Sequence, residues 1–266
     1  MAKPFRSLEL AGSSVKVYSS ATHACEAAAD RIAKTIRICV EIRSKAVLGL
    51  ATGATPEPVY AGLVERHRAG ELSFAPVSTY NLDEYYPMGP LDPNSYRSYM
   101  ERHLFGHVDL APDRAHILDG TVPAAFAAQS AAQFDHWIAA DGGLDLQLLG
   151  VGRNGHIGFN EPTDLSVAEA LALPTRPVDL HPTTTEDAAG DFGGADRVPR
   201  RALTMGIASI LAARSILVLA FGPRKAEAVA GSLRGPMTAR VPGSLLQAVG
   251  PKVTWLVDRE AAAEIL

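Results

Sequence analysis

The chain has 266 residues, with 47% hydrophobic and 20% charged residues, the composition of a globular domain that can bury a substantial core. Its net charge of −4, without a Lys/Arg run, gives no general attraction to nucleic acid. No apolar run approaches the ~20 residues needed to span a bilayer, and Met1–Ser7 lacks the apolar core of a signal peptide, so no membrane association and a cytoplasmic location are expected.

In chain order, Val15–Tyr18 alternates as a short strand, and Ala21 to Arg43 carries apolar positions at helical spacing. Cys25 and Cys39 lie in that helix without metal-ligand spacing and read as two free thiols in a reducing compartment. Ala46–Leu50 is a buried strand that runs into the tight loop Ala51–Pro58, where Pro56 suits a first helical turn. Val77–Leu82 forms a third strand ending in Asp83-Glu84. Helical patterns cover Asn94–Leu104 and Ala124–Ala140, followed by a buried strand at Leu144–Leu149.

Periodicity fails from Thr163 to Arg197, where Pro174, Pro177, Pro182, the Thr183–Thr185 run and Gly193-Gly194 give loop chemistry. A segment that long within a domain predicts either a mobile lid, the reading adopted for 163–197, or a poorly ordered connection. Helical spacing returns at Ala202–Ala212, a strand follows at Ser215–Phe221, and Gly222–Lys225 opens a helix to Leu233. Val253–Val257 closes the set as a strand, with a terminal helix over Ala261–Leu266. Strands alternating with helices predict an α/β fold: one domain over 1–266, Rossmann-like, with a mainly parallel open sheet and helices on both faces.

Four apolar strands end in polar loops, and in a parallel sheet those carboxyl ends share one edge. Leu144–Leu149 breaks into Gly150, Gly152, Gly155 and Gly158 around Arg153, Asn154, His156, Asn160 and Glu161. The turn Thr52-Gly53-Ala54-Thr55 at a helix start favours an anion such as phosphate, and Lys225 beside another strand end adds positive charge. Asp83 at the end of a buried strand is a candidate general base. His156 is a candidate for proton transfer with Glu161 fixing its tautomer. The other histidines show no metal-ligand spacing, so no metal is expected.

Several stretches together resemble glucosamine-6-phosphate deaminase: Leu48–Pro56, Asn81–Tyr85, Asn94–Met100, Gly150–Pro162, Ala202–Gly206, Lys225–Val229 and Pro242–Gln247. The resemblance implies conversion of D-glucosamine 6-phosphate and water to D-fructose 6-phosphate and ammonia, without metal or organic cofactor. It implies that Asp83 moves a proton between C2 and C1, and that His156, Asn154 and Glu161 take part in ring opening. Asn154 stands where some members carry Asp, which leaves Glu161 as the charged partner of His156. Thr52, Gly53, Ala54, Thr55, Gly152 and Lys225 match the phosphate and substrate site.

One departure concerns the lid. Many members carry an arginine there that reaches the phosphate, and counting back from Val198-Pro199 reaches Gly190 instead. The lid also lacks the basic residues associated with allosteric members, so no activation by N-acetylglucosamine 6-phosphate is expected. The rivals are a galactosamine-6-phosphate deaminase/isomerase, a 6-phosphogluconolactonase and a non-catalytic sugar-phosphate sensor. The lactonase loop typically continues its histidine with a Ser-Leu-Phe-Pro type segment, where this chain has Gly158-Phe-Asn-Glu-Pro162. Family members occur in more than one assembly, which leaves a homo-oligomer open.

Overall fold

A computed structural model describes residues 3–266. Its strands are β1 (Arg6–Leu10), β2 (Ser13–Tyr18), β3 (Ala46–Leu50), β4 (Val77–Asn81), β5 (Asp83–Tyr86), β6 (Ala115–His116), β7 (Leu146–Gly150), β8 (Arg176–Asp179), β9 (Arg201–Thr204), β10 (Ile216–Ala220) and β11 (Val253–Asp258). Its helices are α1 (Ala21–Arg43), α2 (Glu57–Arg68), α3 (Tyr96–His103), α4 (Ala127–Ala140), α5 (Val167–Leu171), α6 (Pro182–Phe192), α7 (Ile207–Ala212) and α8 (Ala226–Leu233).

The main sheet has the order β1-β2-β11-β10-β7-β3-β4-β6 and is parallel except for the β1–β2 hairpin. Its central strands β3 and β10 are buried at every residue, as continuous apolar runs require when both faces are covered. From β2 through β3 to β4 the chain moves one way across the sheet; from β6 through β7 and β10 to β11 it moves the other. Right-handed crossovers therefore put α1 and α2 on one face and α4, α7 and α8 on the opposite face. The reversal falls between β3 and β7, the switch point where open α/β sheets bind their ligands.

A second sheet, β5-β9-β8, is antiparallel. The chain passes from one sheet to the other at Leu82, whose N–H donates to Leu50 and whose carbonyl accepts from Met205. Asp83 is thus the first residue after the main sheet. A small apolar cluster of Tyr85, Met88, Phe159, Val198 and Ala202 packs beneath this sheet, with Ala188 and Phe192 of α6 against it.

Three sequence expectations are corrected. The segment 163–197 is not loop throughout: it holds α5, β8 and α6. Thr, Gly and Pro lower the helical signal there, but His181 accepts from Thr183 N–H as N-cap, Pro182 needs no donor in the first turn, and Gly193 ends α6 at φ 70°. Ala202–Ala212 is not one helix, because Arg201–Thr204 pairs with β5 and β8 as β9 before α7 begins. Ala261–Leu266 forms turns rather than a helix, although Ala261, Ala262 and Ile265 are buried as helical spacing would bury them. Pro56 precedes α2 as its cap, and Pro58 lies inside the first turn.

Candidate active site

The strand ends meet in one cavity of about 380 Å³ at the switch point. Thr52 to Thr55 after β3, Asp83 after β4, Gly152 and His156 after β7, and Lys225 after β10 all line it. Its volume is that of a small-metabolite site. Asn154 and Glu161 stand behind His156 rather than on the cavity wall.

The Thr52–Thr55 turn is shaped by Gly53, whose φ of 100° is closed to most side chains and around which a Cβ would meet nothing within 4 Å. Behind the turn, α2 begins without a side-chain cap. Its dipole and first N–H groups therefore favour an anion in front of the turn. Lys225 approaches from the α8 side; burial lowers its pKa, Asp187 raises it again, and Arg224 and Arg153 press it down. Asp187 in turn takes Arg153 at 3.1 Å and Arg224 at 3.8 Å. Glu186 also pairs with Arg153, at 3.4 Å, so Lys225, Arg153 and Arg224 meet two α6 carboxylates, Glu186 and Asp187, at this end of the cavity.

Asp83 is 6% exposed. Burial, then the neighbouring Glu84 charge, raises its pKa well above the usual carboxylate range. Glu84 faces away from the cavity. It accepts from the N–H groups of Tyr85, Tyr96 and Arg97, at 2.9, 2.9 and 3.0 Å, and so caps the start of α3. Burial nevertheless pushes it up to about 7 against those three donors. Adjacent acids on one strand therefore have separate tasks, one toward the cavity and one toward a helix end.

His156 lies flat over Gly152: a Cβ there would come within 2.2 Å of the ring, so any larger residue would displace the imidazole. The backbone N–H of His156 donates to Asn154 Oδ1 at 3.2 Å, while Asn154 Nδ2 donates to Glu161 Oε2 at 2.9 Å. Glu161 Oε2 is 3.4 Å from His156 Nδ1. Burial would raise the Glu161 pKa, but hydrogen bonding and charge from His156, with donors on Thr184 and Asn154, bring it down to about 2. Asn154 is therefore a bridge between the backbone of His156 and the acid that supports its ring.

Gly190, where the lid arginine was sought, is exposed on α6, and a Cβ there would touch nothing within 4 Å. Sequence reasoning missed the contribution of α6: Thr184, Asp187, Ala188 and Asp191 all line the cavity. It also gave no role to Tyr96 and Tyr85, which form an aromatic side with ring centroids 4.9 Å apart. Tyr96 lay within a quoted motif, and the Thr183–Thr185 run was visible, but neither had a physical cue that aimed it at the pocket. Among the described residues, no group of three or more His, Cys, Asp or Glu is placed to hold a metal ion.

A parallel sheet with a polar, partly enclosed cavity at its switch point is the architecture of an α/β enzyme for small metabolites. The family described as glucosamine-6-phosphate isomerases/6-phosphogluconolactonase matches residues 19–255. A glucosamine-6-phosphate deaminase of Rhodopirellula baltica is 47% identical over 241 residues, covering 91% of this chain and 92% of the relative. One from Bacillus velezensis is 44% identical over 237 residues, covering 89% and 95%. Among solved structures, a monomeric glucosamine-6-phosphate deaminase superposes with a TM-score of 0.86 at 40% identity, over 94% of this chain and 99% of that one. A Trypanosoma brucei 6-phosphogluconolactonase shares the fold at a TM-score of 0.75 and 18% identity, over 95% of this chain and 98% of that one. The chain belongs to the glucosamine-6-phosphate isomerase/6-phosphogluconolactonase family.

Proposed function

We propose that this chain is a glucosamine-6-phosphate deaminase, a single domain that converts D-glucosamine 6-phosphate and water to D-fructose 6-phosphate and ammonia. The observation that carries this reading is that Asp83, buried and with a raised affinity for protons, faces the same cavity as His156 braced by Glu161. Lactone hydrolysis needs an activated water but no base for a C–H proton. Deamination with a shift of the carbonyl from C1 to C2 needs both a ring-opening acid–base pair and a carbon base. Relatives at 44–47% identity over most of the chain carry the deaminase name.

In this reading the phosphate lies against Thr52, Gly53, Ala54 and Thr55, with Lys225 supplying charge and Gly152 leaving room for His156. His156, backed by Glu161 and Asn154, moves the proton between O1 and O5 that opens the pyranose ring. Asp83 takes the proton from C2 of the open aldose, leaving an enolamine, and returns it to C1. The resulting C2 imine adds water and releases ammonia, so one water is consumed per ammonia. C1 is reduced as C2 is oxidised, and the atoms balance without a redox cofactor or metal.

No helix among the described residues is long and apolar enough to cross a membrane. Two free thiols, Cys25 and Cys39, fit a reducing compartment, and the reading puts the enzyme in the cytoplasm. We take α6 as the lid, with Arg153 and Arg224, held by Asp187, as the guanidinium groups available in place of a lid arginine at Gly190.

The test is ammonia release from glucosamine 6-phosphate and from galactosamine 6-phosphate, side by side with acid release on hydrolysis of 6-phosphogluconolactone. Release from the glucosamine compound at an ordinary enzymatic rate is the expected result. Turnover of either alternative alone moves the substrate, and silence on all three removes the catalytic reading.

A further inference from the structure

We infer that Thr184 is a positioning residue of this site, through which α6 holds Glu161 and fixes the tautomer of His156. The inference deepens the deaminase reading and rests on it for the role of His156.

Thr184 lies in the first turn of α6 and is 5% exposed. Its hydroxyl donates to Glu161 Oε1 at 2.5 Å, and the same oxygen is 3.3 Å from His156 Nδ1. A hydroxyl has a single hydrogen to donate. Once that hydrogen goes to the carboxylate, Thr184 can offer the imidazole only lone pairs. The other group near Nδ1 is Glu161 Oε2, at 3.4 Å, which is also an acceptor. Two acceptors and no donor face Nδ1, so Nδ1 carries the proton and Nε2 is left bare as the basic nitrogen.

Glu161 is held equally by both sides of the cavity. Asn154 and His156 reach Oε2 from its own loop, whereas the Thr184 hydroxyl and the His181 N–H, at 3.3 Å, reach Oε1 from α6. The His181 ring is itself engaged, accepting from Thr183 N–H at 3.2 Å. Movement of α6 away from the cavity therefore takes both donors from Oε1 and one of the two acceptors from Nδ1, and leaves Glu161 anchored through Oε2 alone. Lid position and the readiness of the acid–base pair are one variable.

Two variants separate this role from packing. Thr184→Val keeps the branched shape and removes the hydroxyl; Thr184→Ser keeps the hydroxyl and removes the methyl. In the ammonia assay, Val should lower kcat about tenfold or more, with KM within about twofold, and Ser should stay within about threefold of the parent. Nitrogen-15 NMR of the His156 ring, identified by its loss in His156→Asn, provides a readout that needs no turnover. The parent and Ser proteins should show a protonated Nδ1 and bare Nε2, and the Val protein a mixture of tautomers. Parental kcat in Val, an unchanged ring pattern in Val, or a Ser variant as impaired as Val overturns the inference. If the parent protein releases no ammonia, the deaminase reading falls, while the ring pattern still decides the part played by Thr184.

Discussion

One wall of the cavity is made of strand ends and the other of α6, and the two are held by different forces. The strand-end wall grows from β3, β7 and β10, where Leu48, Leu50, Leu148, Leu149 and Leu219 are at most 1% exposed and every strand is paired on both sides. Moving it would break ladder hydrogen bonds and open the main core. The α6 wall rests on a small cluster through Ala188 and Phe192, with the Phe192 ring edge-on to Tyr85 at 5.1 Å. Its other ties include polar ones, from Thr184 and the His181 N–H to Glu161 and from Glu186 and Asp187 to Arg153 and Arg224. The sheet therefore fixes the groups it carries, while α6 is the more weakly held wall.

The largest expected effect lies on the fixed wall. Asp83→Asn keeps the shape and removes the base, so turnover should fall about a thousandfold while substrate binding, read by calorimetry, stays near normal. Near-normal turnover would take Asp83 out of the chemistry.

A matched pair then compares the walls directly. Leu148→Ala in β7 should cost about 2–5 kcal/mol in denaturant unfolding. Phe192→Ala, at a half-buried site, should cost about 1 kcal/mol, and its main effect should be a raised KM. Equal losses of stability would mean that α6 is as firmly built in as the sheet.

The acid limb of stability probes the contact between the walls. The Glu161 pKa is lowered from an unfolded-like 4.5 to about 2, so its contribution is fully present above about 4.5 and is lost as the pH falls through about 2. In Glu161→Gln the loss of stability over that window should be shallower by about 2 kcal/mol in urea titrations at several pH values. Parallel curves would show that the carboxylate does not tie the walls together. The smallest effect is expected at the charged end: Asp187→Asn frees Arg224 and leaves Arg153 with Glu186 alone, and should strengthen inorganic phosphate binding about threefold. Weaker binding would mean that Asp187 arranges those cations rather than competing with the anion.

The same division decides what could be read from the sequence. Buried parallel strands favour apolar and β-branched residues, so the apolar runs of β3 and β10, the largely apolar β7 and β11 and the Val-Ser-Thr-Tyr of β4 are legible with their polar ends, and with them Asp83, His156 and Lys225. The α6 side was illegible by periodicity, because Thr183–Thr185 and Gly190 are poor helix formers whose structure depends on contacts with Tyr85 and Glu161. Its punctuation was present in Pro182 and Gly193, a start and a stop of the usual kinds. The strand β9 was hidden because Ala202–Thr204 runs on into α7, and only pairing with β5 and β8 separates the two. Glu84 next to Asp83 shows a further limit, since no local pattern tells which carboxylate faces the cavity and which caps α3.

The most direct test of the account follows glucosamine 6-phosphate that carries deuterium at C2. Because Asp83 is enclosed, the proton it removes should not exchange completely with water before it is returned. Ammonia should therefore appear in step with fructose 6-phosphate, with part of the deuterium retained at C1. Absence of ammonia, or release at an undiminished rate from the Asp83→Asn protein, would contradict the account.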